Sequence, residues 1–149
     1  MNLLHASNTT KPGRLDLDSY TRLVQEANQV FAALQSQEKS DKANGERLES
    51  ALYKVKQALT LNPIGIKGLN LFARIELFRG NPVQAQAIIT RALNVRPDSP
   101  TALYSAGHIA LALGQLEVAE QHFSASLKIS KVATRSASSL AYIYLEQGK

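Results

Sequence analysis

The sequence lacks cysteine and tryptophan entirely, and its 149 residues include a single methionine. Without cysteine, the chain can form neither disulfides nor thiolate metal sites. Aromatic residues account for only 6% of the chain, whereas hydrophobic residues of all kinds account for 44%. This balance is typical of a soluble, folded protein, and the length suits one domain.

A long hydrophobic run is also absent. The longest nearly apolar stretch, Leu103 to Leu113, is interrupted by Ser105 and His108, and it is shorter than the ~20 residues that cross a bilayer. Residues 1–14 lack the basic start and the apolar segment of about 7–15 residues that mark a secretory signal. We therefore expect no membrane span and a cytoplasmic location.

Catalytic and metal-binding patterns are missing as well. The three histidines, His5, His108 and His122, are scattered, and none has the partner four residues away that a helical zinc site requires. Glu117 and Glu120 suit the start of a helix better than a catalytic acid pair. The sequence also has no Gly-rich phosphate loop and no nucleophile motif. We expect no metal, no cofactor and no catalytic activity in this chain.

Acidic residues are scarce relative to basic ones, 12 against 17, which gives a net charge of +5. The excess lies between Lys54 and Arg96, where Glu76 is the only acid among seven basic residues. A localised positive field favours an acidic partner, whether a peptide, a nucleic acid or a phospholipid surface. Non-specific nucleic-acid binding through residues 54–96 is one hypothesis, and it predicts steep weakening with salt.

The sequence does contain a repeat of 34 residues, which is best formed between Ile66 and Ser99. A shift by this period places small residues on small ones and apolar residues on apolar ones. The matching sets are Gly80, Gly114 and Gly148; Ile75, Ile109 and Ile143; Leu77, Leu111 and Leu145; Ala73, Gly107 and Ala141; Ala51 and Ala85; Ala58 and Ala92; Leu59 and Leu93; and Pro63 and Pro97. A fixed period of this length indicates a stacked-repeat architecture.

The first third of the chain departs from this period. Residues 1–18 have no apolar periodicity and predict a disordered lead. Apolar residues spaced by three and four from Tyr20 to Leu34 predict an amphipathic helix. The polar residues 36–45 then predict an insertion loop before a second helix, from about Glu46 to Leu61.

Glycine and proline mark helix ends and starts in the rest of the chain. Gly80 is expected to end a helix in the left-handed conformation, and Asn81 and Ser99 are expected to cap helices that begin with Pro82 and Pro100. The helices predicted from these positions are Ile66 to Phe78, Pro82 to Val95, Pro100 to Leu113, Leu116 to Ile129 and Thr134 to Gln147.

These patterns resemble the tetratricopeptide repeat (TPR) family, whose unit is a 34-residue pair of helices with small residues where the helices cross. The residues that carry the resemblance are Leu69, Ala73, Gly80, Ala85, Ala92, Leu93 and Pro97 in one unit and Leu103, Tyr104, Gly107, Gly114, Ala119, Phe123 and Leu127 in the next. The resemblance implies an all-α, right-handed α-solenoid of about seven helices, with repeats at 19–65, 66–99 and 100–133 and an incomplete fourth at 134–149. The sequence departs from the family at Ser126, where alanine is usual, and at Lys131, where proline is usual.

In this family the first helix of each unit lines a concave groove that holds peptides of partner proteins. Carried over by position, the resemblance implies a peptide-binding groove lined by Lys67, Asn70, Arg74, Leu77, Thr101, Tyr104, His108, Leu111, Arg135, Ser138 and Tyr142. Cations beside aromatic and aliphatic surface suit a peptide with carboxylates and an apolar side chain. Some members clamp the C-terminal carboxylate of heat-shock chaperones. We expect that clamp to be absent, because Asn70 and Arg74 stand where it needs lysine and asparagine.

The last predicted helix has an apolar side with no following helix to cover it, formed by Leu140, Ala141 and Tyr144. We expect this face to pair with a second copy, which makes a homodimer possible. The leading hypothesis is a protein-interaction scaffold that holds an acidic peptide in its groove. The alternative is the interaction part of a longer enzyme, for example a transferase, with its catalytic domain outside this chain.

Overall fold

The computed structural model describes residues 16–36, 41–130 and 134–148. Within these residues the chain forms seven α-helices and no strand, which confirms the predicted all-α fold. The helices are α1 (Leu17–Ser36), α2 (Asp41–Leu61), α3 (Ile66–Phe78), α4 (Pro82–Val95), α5 (Pro100–Ala112), α6 (Leu116–Ile129) and α7 (Thr134–Glu146). None of these helices is both long enough and apolar enough to cross a membrane.

Successive helices run antiparallel and stack into an α-solenoid. Near the end of α6, the hydroxyl of Ser126 donates to the carbonyl oxygen of Pro100 at the start of α5, over 2.9 Å. At the starts of α3 and α1, the backbone N–H of Gly68 donates to the hydroxyl of Tyr20 over 2.9 Å. The odd-numbered helices therefore lie side by side on one face, which we call the inner face, and α2, α4 and α6 form the outer face.

The core consists of three clusters strung along the stack, as expected when each repeat packs only on its neighbours. Fully buried alanines such as Ala27, Ala73 and Ala119 let helices approach closely. Phe31 and Phe123, which are also 0% exposed, fill the wider gaps. Each such large side chain contributes about 1.5–3 kcal/mol by its burial, so the repeated pattern of small and large residues holds the stack together.

Glycine in the left-handed conformation closes the turn after three of the inner helices. Gly80, Gly114 and Gly148 have φ values of 83°, 72° and 68°. Only glycine adopts these angles without a steric penalty from Cβ. The repetition of glycine every 34 residues therefore has a backbone cause, and the predicted role of Gly80 is confirmed.

The first pair of helices differs from the predicted arrangement. α1 has 20 residues against 13 in α3, and α2 has 21 against 14 in α4. The predicted insertion loop at 36–45 is wrong for residue 36, which ends α1, and for residues 41–45, which lie in α2. Residues 37–40 lie outside the described residues. Gly45 lowers helix stability by only about 1 kcal/mol, and no proline interrupts this stretch. The packed part of α2 therefore continues outward by about two further turns.

The start of α1 also differs from the prediction. Residues 17–18, predicted as the end of a disordered lead, belong to α1. Oδ1 of Asp16 accepts a hydrogen bond from the backbone N–H of Ser19 over 3.0 Å, which satisfies one of the free N–H groups of the first turn. The predicted disorder of residues 1–15 concerns a segment outside the described residues.

The two predicted caps have different outcomes. Oγ of Ser99 accepts from the backbone N–H of Ala102 over 3.4 Å and caps α5, as predicted. Asn81 occupies the N-cap position of α4, but its side chain makes no capping hydrogen bond. Its Nδ2 donates instead to Oε2 of Glu76 over 2.9 Å. Arg79 donates to the other oxygen of Glu76, also over 2.9 Å. The Glu76 side chain is only 3% exposed, so its carboxylate depends on these charge-assisted bonds.

Leu140 contradicts part of the predicted self-association face. Its side chain is 8% exposed and packs with Ile143 and Phe123 in the third core cluster. The stripe of α7 that contains Leu140 faces α5 and α6, so this residue cannot contact a second copy. Ala141 and Tyr144 lie on the exposed side of α7, and pairing through these two residues stays a prediction.

Candidate functional site

Three adjoining cavities line the inner face, with volumes of about 360, 510 and 410 Å³. The central cavity is lined by Asn70, Arg74, Pro100, Thr101, Tyr104, Ser105, Ser126, Ser130, Arg135 and Ser136. The second, the Phe78 cavity, is lined by Gln35, Arg74, Leu77, Phe78, Tyr104, Ser105, His108, Ala112 and Arg135. The third, the Lys67 cavity, is lined by Tyr20, Thr21, Val24, Gln25, Asn28, Lys67, Asn70, Leu71, Arg74 and Thr101.

Arg74 borders all three cavities and lies at their junction. The first turns of α3 place it one helical turn after Asn70, and its guanidinium lies over the ring of Phe31, 5.4 Å from the centroid. Nη2 of Arg74 donates to Oε1 of Gln35 over 3.4 Å. Burial lowers the pKa of Arg74, and the nearby positive charge of Arg135 lowers it further. The guanidinium is thus oriented by an aromatic ring and a neutral amide rather than by a carboxylate.

The inner face is positively charged where the cavities lie. None of the residues that line the three cavities is aspartate or glutamate, whereas Lys67, Arg74 and Arg135 are cationic. The ion pairs within the described residues lie elsewhere and join Lys54 to Glu26 and Arg79 to two glutamates. The same residues contain no group of three or more histidine, aspartate or glutamate side chains that could hold a metal ion. The cavities therefore present positive charge, which attracts anions.

Polar groups without protein partners lie beside the two arginines. Oδ1 of Asn70 is buried and accepts no hydrogen bond within the described residues. Ser105 is 5% exposed and borders two cavities, and its hydroxyl makes no hydrogen bond within the described part of the chain. Buried polar groups normally have partners, so the unpartnered oxygen of Asn70 is an exception, and it belongs to a residue that borders the central cavity.

The Phe78 cavity provides aromatic and aliphatic surface beside the central cavity. Phe78 is 50% exposed, and its ring meets Phe31 edge to face with centroids 5.5 Å apart. Leu77 and Ala112 border the same cavity. An apolar side chain that enters there loses water contact against aromatic and aliphatic surface, which is favourable by about 25 cal/mol per Å².

No family model matches the sequence, and no curated protein matches it. Solved structures do match. The first TPR of Spaghetti (RPAP3), bound to the HSP90 peptide SRMEEVD, aligns with a TM-score of 0.74 and 14% identity, over 91% of this chain and 98% of that chain. The Yersinia enterocolitica type III secretion chaperone SycD, in complex with a peptide of the translocator YopD, aligns with a TM-score of 0.68 and 15% identity, over 87% and 95%. This chain has the TPR fold.

A third structure contains the same TPR fold within a much longer chain. An O-GlcNAc transferase mutant of Thermobaculum terrenum aligns with a TM-score of 0.73 and 19% identity, over 87% of this chain but 22% of the transferase. At such identities the likenesses establish the fold alone. The TPR fold implied by the resemblance is therefore confirmed. The ligands of these proteins are not thereby assigned to this chain.

The TPR arrangement brings most of the predicted groove residues together. The predicted residues that border the cavities are Lys67, Asn70, Arg74, Leu77, Thr101, Tyr104, His108 and Arg135. Leu111 is partly buried against the third core cluster instead. Ser138 and Tyr142 lie further along α7 and border none of the three cavities, and Tyr142 is 57% exposed. Of the predicted residues on α7, Arg135 in the first turn thus borders the groove.

The contribution of α1 lies outside what the 34-residue period predicts. Thr21, Gln25 and Asn28 border the Lys67 cavity, and Gln35 borders the Phe78 cavity. The extra turns in the first pair of helices interrupt the repeat, so its register does not carry back to α1. A local signal exists nevertheless, because Thr21, Gln25 and Asn28 recur at spacings of four and three beside the buried stripe of α1.

The basic residues between 54 and 96 do not form one continuous patch. Lys54 lies 2.7 Å from a carboxylate oxygen of Glu26, and Arg79 lies 2.9 Å from one of Glu76. The others are divided between the inner-face cavities and the outer helices. This division favours a local anion site on the inner face over a track for a nucleic-acid backbone.

We expect His108 to make the TPR domain less stable in mild acid. The ring meets Tyr104 and Phe123 edge to face at 4.7 and 5.1 Å, and burial lowers the pKa of His108 below its ordinary value of 6.5. The unfolded chain therefore binds more protons, so this contribution to stability is complete above pH 6.5 and is lost as the pH falls below it. Urea denaturation should show a free energy of unfolding that decreases below pH 6.5.

The variant His108→Phe removes this proton linkage and keeps the aromatic packing. Its free energy of unfolding should decrease less steeply in the same pH range. Some slope should remain, because burial also lowers the pKa of His122. An identical pH dependence in the wild type and in His108→Phe would contradict the assignment.

Proposed function

We propose that this TPR domain binds an acidic peptide segment of a partner protein on its inner face, with the acidic group between Arg74 and Arg135. The observation that carries the proposal is that both side chains border the central cavity. Within the described residues, no carboxylate oxygen lies within 4.0 Å of either guanidinium, so neither arginine forms an ion pair there. Tyr104 and Ser105 of α5 border the same cavity.

The electrostatics of Arg74 support an anionic ligand. Its guanidinium is partly withdrawn from water and lies close enough to Arg135 for the two charges to repel, and both effects lower the pKa of Arg74. A carboxylate between the two groups reverses the repulsion and restores hydrogen bonds that burial removes. Hydrogen bonds of this charged type contribute about 1.5–3 kcal/mol each.

The remaining groups of the groove support a peptide rather than a free small acid. The unpartnered Oδ1 of Asn70 can accept a hydrogen bond from a backbone N–H of an extended peptide. The Phe78 cavity adjoins the central cavity through Arg74, Tyr104 and Ser105. An apolar side chain next to the acidic residue can therefore be buried at the same time.

The proposal is tested with two pools of short, fluorescently labelled peptides that differ only at a fixed central residue, glutamate in one pool and lysine in the other. The flanking positions are mixed and exclude charged residues, so no single flanking sequence decides the result. Fluorescence anisotropy should show binding about 10-fold tighter for the glutamate pool. The preference should weaken between about 0.1 M and about 1 M salt. Equal affinity for both pools would overturn the proposal.

Two earlier hypotheses stay predictions. The chaperone clamp is expected to be absent, so the SRMEEVD peptide bound by the RPAP3 domain should bind no better than the glutamate pool. The role as the interaction part of a longer enzyme is supported only by a shared fold over 22% of one transferase chain.

A further inference from the structure

The central cavity contains more hydrogen-bond donors for an anion than one carboxylate can use. A carboxylate has two oxygens, and a single guanidinium binds both of them in the bidentate geometry. Arg74 and Arg135 both border this cavity. If one of them binds a carboxylate, the other keeps an unneutralised charge and unused N–H groups.

Two hydroxyl groups that border the cavity add to this excess of hydrogen-bond donors. Ser105 is 5% exposed and borders the central cavity. The hydroxyls of Ser105 and Tyr104 have no hydrogen-bond partner in the described part of the chain. By contrast, the buried hydroxyls of Ser126 and Ser136, which also border the cavity, are already engaged. Their Oγ atoms lie 3.1 Å apart, and Ser126 donates to a backbone carbonyl. Two arginines and two free hydroxyls therefore surround one space of about 360 Å³.

A phosphoryl group matches this set better than a carboxylate does. It has three terminal oxygens and carries about −1.5 to −2 charges at pH 7. Two of its oxygens can accept from one guanidinium while the third accepts from the other, and the hydroxyls complete the shell. The charge of the group is also close to that of the two arginines together, so neither is left unneutralised.

We propose that the acidic group bound between Arg74 and Arg135 is the phosphoryl group of a phosphoserine or phosphothreonine in the partner peptide. This inference rests on the proposed function and narrows it to a phosphorylated segment. The interaction is then conditional, because the same segment without its phosphate has only the apolar and backbone contacts of the groove.

The test adds three pools to the peptide experiment, with phosphoserine, serine or a Glu-Glu pair at the fixed centre. The Glu-Glu pool carries the charge of a phosphate in a different shape. The phosphoserine pool is expected to bind about 10-fold tighter than the single-glutamate pool and tighter than the Glu-Glu pool. The serine pool should bind most weakly. Inorganic phosphate should compete with the phosphoserine pool at millimolar concentration.

One arginine variant inside the cavity and one outside it show whether the preference for phosphoserine arises in the cavity. Arg135→Gln should reduce the preference of phosphoserine over single glutamate to within about 2-fold, because the remaining guanidinium of Arg74 suffices for a carboxylate. Arg96→Gln removes the same charge at an exposed position that borders none of the three cavities, and it should leave the preference unchanged.

The outcomes separate this inference from the proposed function. If the glutamate pool binds as well as the phosphoserine pool, the phosphate assignment is overturned and the acidic-peptide function stands. An equal loss of preference in Arg135→Gln and Arg96→Gln would also overturn the assignment, since net charge alone would then explain it. If none of the acidic pools binds more tightly than the lysine pool, both proposals fail.

Discussion

Arg74→Glu is expected to abolish binding of the glutamate and phosphoserine peptide pools, with a loss of at least about 100-fold in affinity. The substitution removes the guanidinium that borders all three cavities and introduces a carboxylate that repels the acidic ligand. Arg135→Glu should have a similar effect on the phosphoserine pool, because Arg135 borders two of the same cavities. Fluorescence anisotropy measures both losses directly.

Matched variants show whether this loss is local. Arg96→Glu makes the same charge change at an exposed position directly after α4 that borders none of the three cavities. It should reduce affinity by no more than about 2-fold through long-range electrostatics. Circular dichroism should show the same helicity for all three variants, since the cation–π contact of Arg74 with Phe31 contributes only about 0.5–1 kcal/mol at such a site. If Arg96→Glu weakens binding as much as Arg74→Glu, net charge rather than the groove explains the affinity.

Gly107→Ala is expected to give the largest loss of stability among conservative changes on α5, about 1–3 kcal/mol in the free energy of unfolding. A Cβ at this position would lie 2.5 Å from Cε1 of Phe123, well inside van der Waals contact. In the preceding unit the equivalent residues are Ala73 and Ile89, both buried. The smaller residue at the crossing thus accompanies the larger residue opposite.

A double-mutant cycle tests this pairing. Phe123→Ile alone should lower the free energy of unfolding by about 1–2 kcal/mol through lost burial. Combined with Gly107→Ala, it recreates the pair found in the preceding unit, and the double variant should be more stable than the sum of the single losses by at least about 1 kcal/mol. Strictly additive losses would contradict the pairing.

Gly45→Ala serves as the control for the glycine change. Gly45 lies in the exposed start of α2, and a Cβ there meets nothing within 4 Å. Because alanine has the higher helix propensity, this variant should raise the free energy of unfolding by about 0.5–1 kcal/mol. Urea denaturation of Gly107→Ala and Gly45→Ala should therefore shift the midpoint in opposite directions.

Much of the fold follows from the spacing of a few residue types. The 34-residue period places Gly80 and Gly114 at turns that require positive φ, and it places Ala73 and Gly107 where helices cross. Together with the repeat spacing, proline and glycine therefore predict the bounds of α3 to α7 within one residue. These residues act through local backbone and steric effects, which a sequence displays directly.

The errors arise where distant contacts decide between two local choices. Asn81 is a good capping residue, but the buried carboxylate of Glu76 takes its amide, and that carboxylate is recognisable as buried only in the fold. Residues 41–45 have poor helix propensity, yet they continue a helix that packing has already formed. Leu140 looks like an exposed apolar residue until the neighbouring helices cover it.

The candidate site was partly predictable for the same reason. Arg74 and Arg135 occupy corresponding faces of inner helices, so the repeat register predicts that they share a groove. These arginines share a cavity with Gln35 and Phe78 because α1 is lengthened and because α3 ends at Phe78. The repeat register does not specify the length of α1. The unpartnered oxygen of Asn70 likewise emerges only from the packed structure.

The proposed binding surface for an acidic peptide is the inner face between α3 and α7. NMR titration of isotope-labelled protein with the glutamate-centred pool examines this surface residue by residue, because each backbone amide reports its own surroundings. We expect the largest chemical-shift changes at Asn70, Arg74, Tyr104, Ser105 and Arg135, and we expect Arg74→Glu to remove them. Changes confined to the outer helices α2, α4 and α6, or spread evenly over the chain, would contradict this expectation.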